Sequence, residues 1–127
     1  MQTTLASTVL MIEDDRDVRM GTKMRLQIAG YRTLEAENGL EGVATAIEQQ
    51  PDVILLDVRM PQMDGLTALA HLRENALTRD IPVIMLSASL VDQTAALDNG
   101  ARFFLAKPYQ GPQMLEAIST ALETADR

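Results

Sequence analysis

The chain has 127 residues, a hydrophobic fraction of 46% and a formal net charge of -7, enough for one domain with a real core. It has no cysteine, which excludes disulfides and thiolate metal sites and makes a reducing compartment the simplest expectation. The acidic balance argues against direct nucleic-acid binding. No apolar stretch approaches the roughly eighteen residues of a bilayer span, and Met1 to Ser7 lacks the basic and apolar parts of a leader, so a cytoplasmic protein without membrane contact is expected.

Apolar runs alternate with helix-patterned segments, the sign of repeated βα units. The first strand is expected from about Thr8 to Ile12 and the first helix from about Arg16 to Ala29. Met20, Met24 and Ile28 fall at four-residue intervals on that helix, the spacing of one apolar face, and Gly30 suits its end. The eight methionines predict a soft, aliphatic interior. A second strand, about Tyr31 to Glu35, alternates polar and apolar residues as an edge strand does. Asn38 suits the N-cap of a second helix, on which Leu40, Val43, Ala44 and Ile47 share a face and which Pro51 stops.

The third strand, Val53 to Leu56, is wholly apolar, as a strand covered on both faces must be. Asp64 suits the cap of a third helix with Leu66, Leu69 and Ala70 turned inward. His71, the lone histidine, reads there as an ordinary side chain rather than a phosphorylated one. A fourth apolar strand, Val83 to Leu86, precedes a weakly patterned helix from about Val91 to Asn99, with Leu90 and Val91 expected exposed at its start. The last unit pairs a strand at Phe103 to Ala106 with a helix at Pro112 to Thr124 that buries Met114, Leu115, Ile118 and Leu122. One open, doubly wound α/β domain over residues 1–127 follows, with right-handed crossovers and helices on both faces of a parallel sheet.

In such sheets ligands bind beyond the carboxyl ends of the strands. Four strand ends here lead into Glu13-Asp14-Asp15, Asp57, Ser87 and Lys107-Pro108. With the first and third strands adjacent at the centre, Asp14 and Asp57 become neighbours. Crowded carboxylates repel unless a cation neutralises them. Mg²⁺ (or Mn²⁺) takes oxygen ligands and suits the role, and a carboxylate can attack a phosphoryl group to form an acyl phosphate. Lys107, the Ser87 hydroxyl and backbone N–H groups would stabilise that transfer.

These residues resemble the receiver domain of two-component response regulators. The resemblance rests on Val9-Leu10-Met11-Ile12-Glu13-Asp14-Asp15, on Leu55-Leu56-Asp57-Val58-Arg59-Met60-Pro61-Gln62-Met63-Asp64-Gly65, on Ser87-Ala88 and on Lys107-Pro108. It runs from about Thr8 to Leu122 and implies a five-stranded sheet of order 2-1-3-4-5. It implies Asp57 as phosphoacceptor, and Glu13 and Asp14 as the acidic pair for Mg²⁺, a register taken from Arg19. Asp57 itself and the Arg59 backbone carbonyl complete the implied ligand set. Asp15 falls outside the pair and is free to cap the first helix. Lys107 resembles the phosphoryl-binding lysine, Pro108 the proline after it (often joined by a cis bond), and Ser87 the switch hydroxyl. Phe104 occupies the aromatic switch position without a hydroxyl, Ala88 leaves the acylation site open, and Arg59 and Ser89 hold positions that tune acyl-phosphate lifetime.

The partners so implied are a sensor histidine kinase or histidine phosphotransfer protein, and a downstream protein that meets the face of the fourth helix, fifth strand and fifth helix. A monomer or a phosphorylation-dependent dimer, with no output domain in this chain, is the expected form. The competing reading from another class is a Mg²⁺-dependent phosphohydrolase with an aspartyl nucleophile. Such enzymes carry a second acid two residues past the nucleophile, where this chain has Arg59. A third reading, an interaction module with a dead site, is disfavoured by the intact acidic residues.

Overall fold

Five parallel strands stand side by side in the order β2-β1-β3-β4-β5, and five helices connect them. The structure, a computed structural model, describes residues 6–125. Met1 to Leu5, part of the segment read above for a leader, and the last two residues of the expected 1–127 domain lie outside the described residues. In chain order the elements are β1 (Thr8–Ile12), α1 (Arg16–Ile28), β2 (Arg32–Ala36), α2 (Gly39–Gln49), β3 (Val53–Asp57), α3 (Gly65–Glu74), β4 (Val83–Ser87), α4 (Asp92–Asp98), β5 (Phe103–Ala106) and α5 (Gly111–Ala125). This is the doubly wound α/β arrangement that the alternation of patterns predicts.

The three central strands are buried along both faces, and successive side chains feed opposite cores. Leu10, Ile12, Ile54, Leu56, Val83 and Met85 pack toward α2, α3 and α4, with Ala46, Leu69, Leu72 and Ala96. Val9, Met11, Val53, Leu55, Ile84 and Leu86 pack toward α1 and α5, with Leu26, Met114 and Ile118. Double coverage explains why β3 and β4 contain no polar residue until their last position and why β1 is apolar after Thr8. The edge strand β2 begins one residue later than expected, and it is only partly buried, with Arg32 and Glu35 exposed.

Side-chain caps begin the first three helices. Asp15, Asn38 and Asp64 each accept from the backbone N–H three residues on, at 3.0, 2.8 and 2.9 Å. Each bond satisfies one of the orphan donors at a helix start. Helix α4 has no such cap at Val91 and is only seven residues long. Leu90 and Val91 are exposed there, as expected.

Three apolar faces are corrected. Met20, Met24 and Ile28 face solvent, Ile28 being 86% exposed, and Leu26 carries the buried side of α1. The side of α1 near the sheet instead holds Arg19, which donates to the Glu13 carbonyl and pairs with Glu35. On α2, Leu40 and Ala44 are exposed, and the close packing is made by Gly39, Gly42 and Ala46. Gly42 lies so near Ile12 that only a residue without Cβ fits. On α3, Ala70 is exposed while Gly65, Ala68, Leu69 and Leu72 turn inward. The methionines of the interior are Met11, Met85 and Met114. The inward stripe of α5 holds as predicted for Met114 and Ile118, with Ala121 added.

Candidate functional site

Parallel pairing sets the carboxyl ends of β1, β3, β4 and β5 along one edge. Ile12 pairs with Leu56, Asp57 with Leu86, and Ser87 with Ala106, so Glu13, Asp57, Ser87 and Lys107 lie along the same edge of the sheet. Glu13, Asp14 and Asp57 each present a carboxylate oxygen there, all within 4.8 Å of one another. Glu13 and Asp57 are buried and Asp14 is exposed, so the cluster has two ligands in the wall and one at the rim. This donor set, all oxygen and open to solvent on one side, fits a hard divalent cation that keeps several waters.

Lys107 reaches the cluster from the end of β5. Its Nζ lies 3.1 Å from Asp57 Oδ1 and 3.2 Å from Glu13 Oε1. Its backbone N–H donates to the Ser87 carbonyl at 2.8 Å, and the Lys107-Pro108 peptide bond is cis. Burial alone would pull the ammonium down, but the Asp57 and Glu13 carboxylates outweigh it and hold its pKa above the ordinary value. Asp57 is pushed the other way for a carboxylate, up to about 6, by burial and then by the Glu13 charge, with Lys107 as a partial offset. Burial, more than the neighbouring charge, disfavours its ionised form.

Ser87 is buried at the end of β4. Its hydroxyl donates to Asp92 Oδ2 at 2.6 Å, and Arg59 grips the same carboxylate through Nε and Nη2, each at 3.0 Å. The Arg59 hydrogen bonds, then the one from Ser87, lower the Asp92 pKa. Ala88 is exposed beside the cluster. Phe104, opposite Met85 in the sheet, is half-buried against the α2–α4 core. Pro108 and His71 are exposed.

Sequence reasoning passed over Asp92. An acid in the first turn of a short helix is ordinary in any sequence, and only its contact with Ser87 and Arg59 marks it. Tyr109 was passed over as well. It lines an open groove of about 500 Å³ between α1 and the start of α5 with Val18, Thr22, Arg25 and Met114, and of the charged cluster only Lys107 reaches this groove. The groove therefore runs beside the carboxylates and not over them.

Comparison with known proteins gives a consistent result. The family described as response regulator receiver domain matches residues 9–119. The DNA-binding dual master transcriptional regulator RpaA of Synechocystis is 37% identical over 121 residues, which make up 94% of this chain and 50% of that protein. Among solved structures, chemotaxis protein CheY4 of Vibrio cholerae superposes with a TM-score of 0.86 at 29% identity, covering 93% of this chain and 100% of that one. The receiver domain of a sensor histidine kinase from Pseudomonas aeruginosa PAO1 does so at 0.87 and 27% identity, covering 94% and 99%, and that protein has a magnesium ion coordinated in its active site cleft. The chain spans about half the length of the curated relatives it matches. Among the described residues, no helix is long and apolar enough to cross a membrane.

Proposed function

This chain belongs to the response regulator receiver family of two-component phosphorelay signalling, and from that premise we propose that Asp57 accepts the phosphoryl group. The observation that carries the assignment is the meeting of three carboxylates with the Lys107 ammonium at one strand edge. Glu13, Asp14, Asp57 and the Arg59 carbonyl would hold Mg²⁺, with Mn²⁺ as a substitute. When bound, the cation neutralises the carboxylates and the charge that develops on the phosphoryl oxygens.

The chain's own residues supply the rest. An Asp57 carboxylate oxygen attacks the phosphorus of a phosphohistidine on a sensor kinase or phosphotransfer protein. The P–N bond breaks, the imidazole keeps the electron pair, and it takes up a proton as it leaves. Lys107, already held against Asp57, pairs with the transferred group, while the exposed Ala88 leaves room for the donor. Ser87 then turns to a phosphoryl oxygen, Phe104 follows into the vacated space, and the face of α4, β5 and α5 changes its population of partner-binding forms. On this reading the domain catalyses only its own modification and slow hydrolysis. Its setting is the cytoplasm, and its output passes to a downstream protein. The phosphohydrolase alternative is not favoured: Arg59 stands where its second acid belongs, and the guanidinium is engaged with Asp92.

Incubation with acetyl phosphate and Mg²⁺, followed by intact-mass analysis, tests the assignment. One phosphate adduct is expected, labile to hydroxylamine and absent from Asp57→Asn. An unchanged wild-type mass would refute it.

A further inference from the structure

The Ser87 hydroxyl has no free donor. It gives its one proton to Asp92 Oδ2 at 2.6 Å and accepts from the Ser89 backbone N–H at 3.1 Å. The acceptor is a carboxylate, so the bond is charge-assisted and among the stronger hydrogen bonds a hydroxyl makes. Asp92 is buried, and Arg59 holds it by a two-point pair from the solvent side. Arg59 lies two residues past Asp57, so the far end of this chain of contacts is tied to the loop that leaves the phosphoacceptor strand.

Resting on the reading of Asp57 as phosphoacceptor, we propose that Asp92 is a positioning residue for Ser87: a latch, anchored by Arg59, that keeps the hydroxyl away from Asp57 until a phosphoryl oxygen outcompetes it. A hydroxyl donates once, so Asp92 and the phosphoryl group are rivals for the same proton. Both rivals are anions, and the difference between two similar bonds, not the strength of either, sets the balance. Release does not strand a buried charge, because Arg59 still neutralises Asp92 after Ser87 has left. The latch also couples the site to α4. Asp92 opens that helix, so loss of its bond to Ser87 acts at the first turn of α4.

The Ser89 amide reports directly on Ser87 Oγ. Amide NMR spectra of the whole chain, with and without beryllofluoride plus Mg²⁺ as a reversible phosphoryl mimic, would be recorded for wild type, Asp92→Ala, Asp92→Asn, Arg59→Gln, Ser87→Ala and the Ser87→Ala/Asp92→Ala double variant. Without the mimic, the Ser89 resonance of Asp92→Ala should move toward its mimic-bound wild-type position. The mimic should bind this variant about tenfold more tightly, the bias expected from losing one hydrogen bond to a charged group. Asp92→Asn, nearly isosteric, and Arg59→Gln should move the same way by less, which guards against a folding defect in the alanine variant. In the Ser87→Ala background, removal of Asp92 should leave mimic affinity unchanged. Wild-type shifts and affinity in both Asp92 variants, or the same gain without Ser87, would overturn the latch alone. A wild type that takes up no mimic would instead overturn the phosphoacceptor reading beneath it.

Discussion

Lys107, just past the end of β5, and Asp57, at the end of β3, are held with Nζ and Oδ1 3.1 Å apart, and the lysine side chain is only 26% exposed. Removing Lys107 leaves the buried Glu13 and Asp57 carboxylates without their shared cation. Lys107→Ala is expected to lower stability in metal-free buffer by about 2 kcal/mol, below the range for fully enclosed pairs because part of the lysine is solvated. Asp57 needs no proton from Lys107 to attack phosphorus, so the phosphate adduct should still form. What should be lost is the accompanying change at the Ser89 amide. Urea unfolding and intact mass measure the first two, and amide NMR the third.

The raised Asp57 pKa makes a signed prediction for stability. Its ordinary value is 3.8 and its folded value about 6. Between these, the folded state binds more protons than the unfolded chain, so this group's contribution to stability falls as pH rises from about 4 to about 6. Above that window the folded protein bears a carboxylate charge that its surroundings disfavour. Asp57→Asn mimics the neutral form and should exceed wild type by about 3 kcal/mol at pH 7 without divalent cation. At pH below about 3.8 the advantage should vanish. Urea midpoints taken in EDTA at the two pH values decide it, and an equal advantage at both would count against the electrostatic cause.

Mg²⁺ should stabilise the protein by relieving the same repulsion. At ten times its dissociation constant a ligand specific to the folded state contributes about 1.4 kcal/mol, a rise of several degrees in Tm for a domain of this size. Asp14→Asn, which removes the exposed carboxylate of the cluster, should reduce the rise markedly, and EDTA should abolish it. Thermal scans across a Mg²⁺ titration give the answer directly.

Gly65 begins α3 where a Cβ would fall on the Asp57 carbonyl oxygen and lie 2.8 Å from Val58 Cα. Backbone atoms cannot step aside as a flexible side chain does. Gly65→Ala should therefore cost about 1–3 kcal/mol by overpacking. It should also slow phosphorylation of Asp57, because the displaced strand end carries the nucleophile. Rates with acetyl phosphate, measured on the folded fraction, separate the second effect from the first.

Much of this was legible in the chain itself. Apolar runs ending in an acid, a hydroxyl or a lysine reveal the central strands and their functional ends, because a strand covered on both faces can place polar groups only where the sheet stops. The capping acids and Asn38 were legible for the same local reason. Met20, Met24 and Ile28 were misleading: a periodic apolar stripe shows that a helix has a distinct face but not that the face meets the sheet. Here the sheet side of α1 carries Arg19, which serves the Glu13 carbonyl and Glu35.

Local sequence thus determined the order of elements, their approximate limits and the candidate site residues at their ends, since propensity, capping and burial pattern act over a few neighbouring residues. Tertiary structure alone decided which carboxylates crowd together, how far Asp57 is pushed from its ordinary pKa, and that Ser87 donates to Asp92. Those outcomes depend on through-space distances between segments remote in the chain, and both Coulomb energy and hydrogen bonding change sharply over the few ångströms that only packing sets.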